Sequence, residues 1–259
     1  MSFVFVRVLV ALAYLGMVVV NYLANALPIN DIPTGEVSDL YPNLFAPAGI
    51  TFSIWGLIYL LLGLFVLYQF GVFGRFRFKK EKELLNKVGV YFIISSVANA
   101  LWIFSWHYGL LWLSLIFMVT ILFCLIKIND LFRKRRLDSK EFFFLRLPFS
   151  IYFGWITVAT IANVTAFLVS VGWGGFGISE SIWTIIVLLV GATIGILTGV
   201  HNKDVAYLLV FVWAYLGIII KHTSSAGFNN QYPEIIAVAV ICIVFFLTTV
   251  GIILGKKKK

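Results

Sequence analysis

Ile235–Leu254, IIAVAVICIVFFLTTVGIIL, runs for 20 residues without a charge, and after Gly255 the chain continues as Lys256, Lys257, Lys258 and Lys259. At 1.5 Å per residue such a run is about 30 Å long, the thickness of a bilayer's hydrocarbon core. Four consecutive ammonium groups cannot follow it into hydrocarbon, so they mark where the helix leaves the membrane. Working outward from this segment, seven further apolar runs of comparable length are found at Phe3–Leu23, Ile50–Phe70, Val88–Trp106, Leu110–Ile126, Leu147–Val171, Ile182–Val200 and Val205–Ile220. The expectation is an all-α polytopic membrane bundle of about eight transmembrane helices. Composition agrees: 61% of the 259 residues are hydrophobic and only 12% are charged, about half the charged share of a soluble domain. A soluble enzyme, a disordered tail and a nucleic-acid module are excluded.

The net charge of +9 is explained by where the basic residues fall. With the N-terminus inside, eight spans put Arg7, Arg75, Arg77, Lys79, Lys80, Lys82, Lys87, Lys127, Arg133 to Arg136, Lys140, Arg146, Lys203 and Lys256 to Lys259 on the cytoplasmic side. Only Lys221, of 20 Lys and Arg residues, falls outside. Basic residues near span ends are retained on the cytoplasmic side during insertion, so both termini are expected there, in a bacterial plasma membrane. The basic loops are read as topological signal that touches anionic lipid, with no nucleic-acid partner. Arg7, the apolar run after it and Ala24-Asn25-Ala26 have the outline of a secretory signal. The run is longer than a signal core, however, and an uncleaved first helix is expected.

The loop 24–49 on the outer face carries Pro28, Pro33, Pro42 and Pro47 together with Asp31, Glu36 and Asp39. A proline-rich loop of that length is expected to form a stiff cover over the bundle mouth. His107-Tyr108-Gly109 reads as a tight hairpin, and Gly172–Ser181 as a flexible break between two blocks of helices. Cys124 and Cys242 both lie within apolar runs and read as small core residues.

None of the 11 Asp and Glu residues lies at membrane depth, which argues against ion coupling and against a carboxylate-pair or metal mechanism. His107, His201 and His222 are separate residues at span ends, expected to be structural or to face lipid. No catalytic residue, metal site or cofactor is expected. The spans instead hold aromatic and small polar residues at helical spacing. Trp55, Tyr59 and Gly63 are four apart; Ser95, Asn99, Trp102 and Trp106 follow i, i+4, i+7, i+11; Trp155, Ala159 and Asn163 repeat the four-residue step beside Tyr152 and Thr160. An amide in contact with lipid is costly, so Asn99 and Asn163 are expected to point into the bundle. On spacing alone these faces are either helix packing or the walls of a site. Trp106, Trp112, Trp173 and Trp183 are expected as interfacial anchors. Gly191, Gly195 and Gly199 form a small-residue ridge suited to close contact within the chain or between two copies.

Pro42-Asn-Leu-Phe-Ala-Pro47 before Phe52-Ser-Ile-Trp55-Gly-Leu-Ile-Tyr59, then Asn99-Ala-Leu-Trp102, then Pro148-Phe-Ser-Ile-Tyr152-Phe-Gly-Trp155 with Ala159 and Asn163, together resemble the TspO/MBR family, the tryptophan-rich sensory and translocator proteins. Where that family has W-x-P-P in its loop, this chain has Leu44-Phe45-Ala46-Pro47. The resemblance covers residues 1–171 as a five-helix core with loop 24–49 as its lid, and leaves 172–259 as three additional spans.

The resemblance implies an inter-helix cavity for a hydrophobic planar ligand, tetrapyrrole (porphyrin) or sterol-like. Trp55, Tyr59, Trp102 and Trp155 would stack on it, Ala159 would leave it room, and Asn99, Tyr152 and Asn163 would orient it, with Pro42 and Pro47 in the lid. The function expected is that of a receptor or sensor with membrane lipid and this small molecule as partners. Two alternatives remain open. One is light-dependent porphyrin degradation through Trp55 or Trp155. The other is a membrane scaffold, a homo-oligomer included, that uses the glycine ridge and the extra helices as contact surfaces.

Overall fold

The computed structural model describes residues 3–27, 29–73 and 79–257; Pro28, Arg75, Arg77, Lys258 and Lys259, which enter the loop and charge readings above, lie outside the described residues. Among the described residues the structure is helical throughout, without strands. Helix α1 (Phe3–Ala26) is followed by three short 3-10 turns, Ile29–Asp31, Glu36–Leu40 and Gly49–Ser53. Next come α2 (Ile54–Gln69), α3 (Lys79–His107), α4 (Leu111–Arg133) and a single turn, α5 (Ser139–Glu141). A π-helical segment, Phe142–Arg146, leads into α6 (Leu147–Ser170), and α7 (Glu180–Asn202), α8 (Val205–Thr223) and α9 (Pro233–Lys257) complete the chain.

Eight of these described helical segments are long and apolar enough to cross a membrane, one for each expected run. The third begins earlier than its apolar content suggests. Lys79 to Lys87 is polar but continues the same helix, giving α3 29 residues and about 43 Å of length, more than a hydrocarbon core requires. The shortest expected span is a full 19-residue helix, α8, which starts on the cap of Asp204, whose carboxylate accepts the Tyr207 N–H at 3.1 Å. Ahead of α6, Asp138 and Glu141 form a reciprocal capping box. The wider π turn that follows has a local cause in Pro148. Proline offers no N–H to the Phe144 carbonyl and its ring crowds that group, so the register loosens just upstream, and Leu147 N–H bonds to Phe142 O instead.

The chain divides into two compact units, Met1–Thr34 with Trp55–Phe153, and Gly35–Ile54 with Gly154–Lys259. Helix α6 begins in the first and ends in the second. In the first unit α3 packs against both α1 and α4. Gly89 permits the α1 contact, since a Cβ there would stand 2.7 Å from the Val6 side chain. Phe65, Phe92 and Phe149, all fully buried, meet edge to face at 4.7 to 5.8 Å between ring centres and form the apolar base of this unit.

In the second unit α9 packs on α7 and α8. The glycine ridge of α7 is filled by α8: a Cβ at Gly191 would meet the Tyr215 hydroxyl at 2.8 Å, one at Gly195 the Phe211 ring at 2.9 Å, and one at Gly199 the Leu208 side chain at 2.5 Å. The Tyr215 hydroxyl itself donates to Leu188 O across this contact at 2.7 Å. The small residues thus serve helix contact inside the chain. Cys124 and Cys242 are both buried and unoxidised.

Candidate functional site: an aromatic cluster and a clamped loop

In the first unit the start of α2, the C-terminal half of α3 and the start of α6 bring together Trp55, Tyr59, Asn99, Trp102 and Tyr152. The indole of Trp55 is the hub. It stacks on Tyr59 (5.4 Å between centroids, 18° between planes), lies tilted against Trp102 (6.2 Å, 32°) and meets Tyr152 edge on (5.9 Å, 62°). Trp102 in turn stacks on Trp106 one turn away, at 5.9 Å. The four-residue spacings on α2 and α3 produce this arrangement, because residues four apart in a helix project from the same face.

A buried polar chain runs beside the rings. Asn21 Nδ2 donates to Asn99 Oδ1 at 2.6 Å, and Asn99 Nδ2 donates to the Tyr152 hydroxyl at 3.3 Å. Asn21 Nδ2 also reaches the Met17 carbonyl at 2.9 Å. Each amide in this apolar setting is therefore paired, as the cost of burying polar groups demands. Asn21 is missing from the set of residues picked out by sequence. The signal that marks Asn99, an amide inside an apolar run, was equally present at Asn21. Tyr14 is a second omission: its hydroxyl donates to Tyr59 O at 2.9 Å and fills the notch at Gly63, where a Cβ would stand 2.7 Å from it. The Tyr59 hydroxyl is different, since it is shielded from solvent and has no hydrogen-bond partner among the described residues.

One span-end residue takes a role other than that expected: Trp106, expected as an interfacial anchor, is buried, and its indole N–H donates to Thr34 O at 3.2 Å. His107, expected to be structural or to face lipid, takes the structural role, buried between loop groups. Its Nδ1 faces the Ile29 carbonyl at 3.1 Å, which can only accept, so Nδ1 carries the proton and Nε2 accepts from the Thr34 hydroxyl at 2.9 Å. Asn30 Nδ2 adds a bond to His107 O at 2.9 Å. The first part of the outer loop is thereby pinned to the end of α3. The turn after it is the expected tight hairpin, with Gly109 at φ 68°.

The remaining candidates, Trp155, Ala159 and Asn163, belong to the second unit, on the continuation of α6. Trp155 and Asn163 are buried, Ala159 is half-buried, and Phe52 of the loop meets the Trp155 indole edge to face at 5.8 Å and 84°. Pro47 is buried and Pro42 exposed. Leu44, Phe45 and Ala46, which stand where the family has its loop motif, are all buried in this unit.

What holds this second stretch of loop is α8. Lys221 Nζ donates to Asp39 Oδ1 at 3.0 Å, His222 Nε2 donates to Leu44 O at 2.9 Å, Ala48 N–H donates to Gly217 O at 3.0 Å, and Trp213 Nε1 donates to Thr51 O at 2.9 Å. Trp213, Gly217 and Lys221 are spaced by four, so a single face of α8 carries most of this clamp, and the loop runs antiparallel to it. Gly217 is required by the closeness of approach: a Cβ there would overlap Thr51 Oγ1. His222 is fully buried, with the rings of Phe228 and Tyr232 against it at 4.7 and 5.8 Å, and so serves the loop instead of facing lipid. None of these α8 residues was singled out by sequence as a loop partner, because the pairing joins positions more than 160 residues apart.

The family described as TSPO-like protein matches this chain over residues 7–252, a stretch that includes the last three spans. No curated protein and no solved structure matches it. Eight membrane-length helices, the ordered Trp/Tyr/Asn faces and a family match over nearly the whole length lead to one conclusion: the chain belongs to the TSPO-like protein family and is an integral membrane protein of TspO type.

Proposed function

We propose that this protein is a membrane receptor or sensor for a hydrophobic planar ligand of the tetrapyrrole or sterol-like kind, taken up at the aromatic cluster of the first unit. The observation that carries the reading is the Tyr59 hydroxyl, buried without a partner among the described residues, on a ring that stacks on Trp55, which also touches Trp102 and Tyr152. Buried hydroxyls are nearly always hydrogen-bonded, and one left over beside stacking rings is what a ligand's polar edge would satisfy. The Asn21–Asn99–Tyr152 chain holds the surrounding groups in one geometry. A flat ligand in contact with two rings needs about 7 Å between them, two contacts of roughly 3.5 Å each. Trp55 and Trp102 stand at 6.2 Å, so a modest parting of α2 and α3 admits it. The Lys and Arg bias of the connections supports termini in the cytoplasm, and a bacterial plasma membrane is the host we favour.

The test is a dark titration of the purified protein in mild detergent with protoporphyrin, following tryptophan quenching in wild type, Trp102→Ala, Trp155→Ala and Trp112→Ala. Trp112 is 57% exposed and serves as the control. Saturable quenching that Trp102→Ala weakens at least tenfold, about 1.4 kcal/mol, and Trp112→Ala leaves alone supports the reading. Equal, non-saturating quenching in all four proteins means partition into detergent and overturns it. Repeating the titration under light separates a receptor from a photochemical enzyme.

A further inference from the structure

The second unit contains a cleft of about 170 Å³ that the ligand proposal does not use, lined by Asp39, Pro42 and Ala46 of the loop together with Lys221 and Phe228. Its charge is unusual for this chain: in the alternation of eight spans, 19 of the 20 Lys and Arg residues fall on one face, and Lys221 is the exception. The Lys221 side chain is 23% exposed and its ammonium is bonded to the carboxylate of Asp39, whose side chain is 62% exposed. Such a half-open ion pair is weak, so an incoming anion loses little by replacing Asp39. Apolar surface from Pro42, Ala46 and Phe228 surrounds the pair.

We infer that this cleft binds a small monocarboxylate with a short hydrocarbon chain, its carboxylate on Lys221 in place of Asp39 and its chain against Pro42, Ala46 and Phe228. Three features select that class. Asp39 already shows that a carboxylate oxygen reaches Lys221 Nζ at 3.0 Å. A single ammonium beside an acidic residue cannot neutralise a dianion such as phosphate. At about 170 Å³ the cleft is well below the size of a drug-sized pocket, so only a short chain fits beside the carboxylate. The other three bonds between the loop and α8, from Trp213, Gly217 and His222, do not involve the pair, so the loop keeps its course when Asp39 is released.

The test uses the full-length protein in detergent micelles and saturation-transfer difference NMR with sodium butyrate, at constant ionic strength set with chloride. Wild type, Lys221→Gln and Asp39→Asn are compared, with butylamine as the cationic probe. The expected result is saturable butyrate binding in wild type, at least tenfold weaker in Lys221→Gln, at least threefold tighter in Asp39→Asn, and no saturable butylamine signal. The gain in Asp39→Asn is the decisive arm, because a misfolded variant does not bind more tightly. Equal butyrate signals in wild type and Lys221→Gln, or no tightening in Asp39→Asn, overturn the proposal. Neither outcome bears on the tetrapyrrole titration, which concerns the other unit.

Discussion

The aromatic cluster of the first unit and the contacts around α8 in the second partner their buried polar groups differently. In the first, side chain meets side chain: Asn21 to Asn99 to Tyr152, with three aromatic rings around Trp55 and the Tyr59 hydroxyl without a partner among the described residues. In the second, side chain meets backbone: Trp213 to Thr51 O, His222 to Leu44 O and Tyr215 to Leu188 O. Side chain to backbone bonds fix the course of a loop or the approach of a helix. Side-chain chains inside a bundle can be re-formed around a guest, since rotamers change at less cost than a backbone path does. On the proposed reading the first unit receives a ligand, while the second holds loop 35–54 in place.

The comparison is broken most directly by adding one methyl group to a glycine in each unit. Gly217→Ala places a Cβ against Thr51, whose backbone is tied to Trp213, so the loop itself must move. The expected loss is about 3 kcal/mol, at the upper end for overpacking, seen as a thermal midpoint lower by roughly 6 to 12 °C. Gly63→Ala meets only the far end of Tyr14, which can swing aside. The loss expected there is about 1 kcal/mol, close to the worth of the Tyr14 hydrogen bond. Equal losses at the two glycines would contradict the contrast between a rigid support and an adjustable site.

Trp102→Ala, with its expected tenfold loss of porphyrin affinity, comes next, and Trp213→Phe should leave that affinity unchanged while lowering stability by about 1 kcal/mol through its lost bond to Thr51 O. Porphyrin titration and thermal unfolding of both variants separate the units by readout. The Asn21–Asn99 pair gives a smaller effect. A double-mutant cycle of Asn21→Ala and Asn99→Ala should return a coupling of about 0.6 kcal/mol, the usual size for such bonds between membrane helices, and a value near zero would remove the polar chain as an organiser of the site. Smallest of all is Lys221→Gln, for which thermal unfolding should show a change below about 0.5 kcal/mol because its ion pair is largely in solvent.

Much of the first unit was legible in the sequence because its logic is local. The spacing of Ser95, Asn99, Trp102 and Trp106 along one helix is a property of α3 alone, and all four are buried as that spacing requires. The same reasoning covered Asn99 and should have covered Asn21. It failed at Trp106, whose place at a span end suggests an interface, because only the return of residues 29–34 over that end covers it. It could not reach Gly217 or His222 at all. A glycine in an apolar helix looks the same whether it faces lipid or a loop 166 residues away in sequence.

That the chain is a membrane protein with eight spans, and where those spans lie, was readable from the residues alone, because bilayer thickness and helix rise turn hydrophobic length directly into structure. It took the packed structure to show that the three spans after residue 171 are joined with loop 35–54 in one compact unit, that the glycine ridge is filled by Tyr215, Phe211 and Leu208, and that Lys221 has Asp39 beside it. The physical reason is that each of these rests on a pair of groups brought together from distant positions, and no periodicity along one helix encodes its partner.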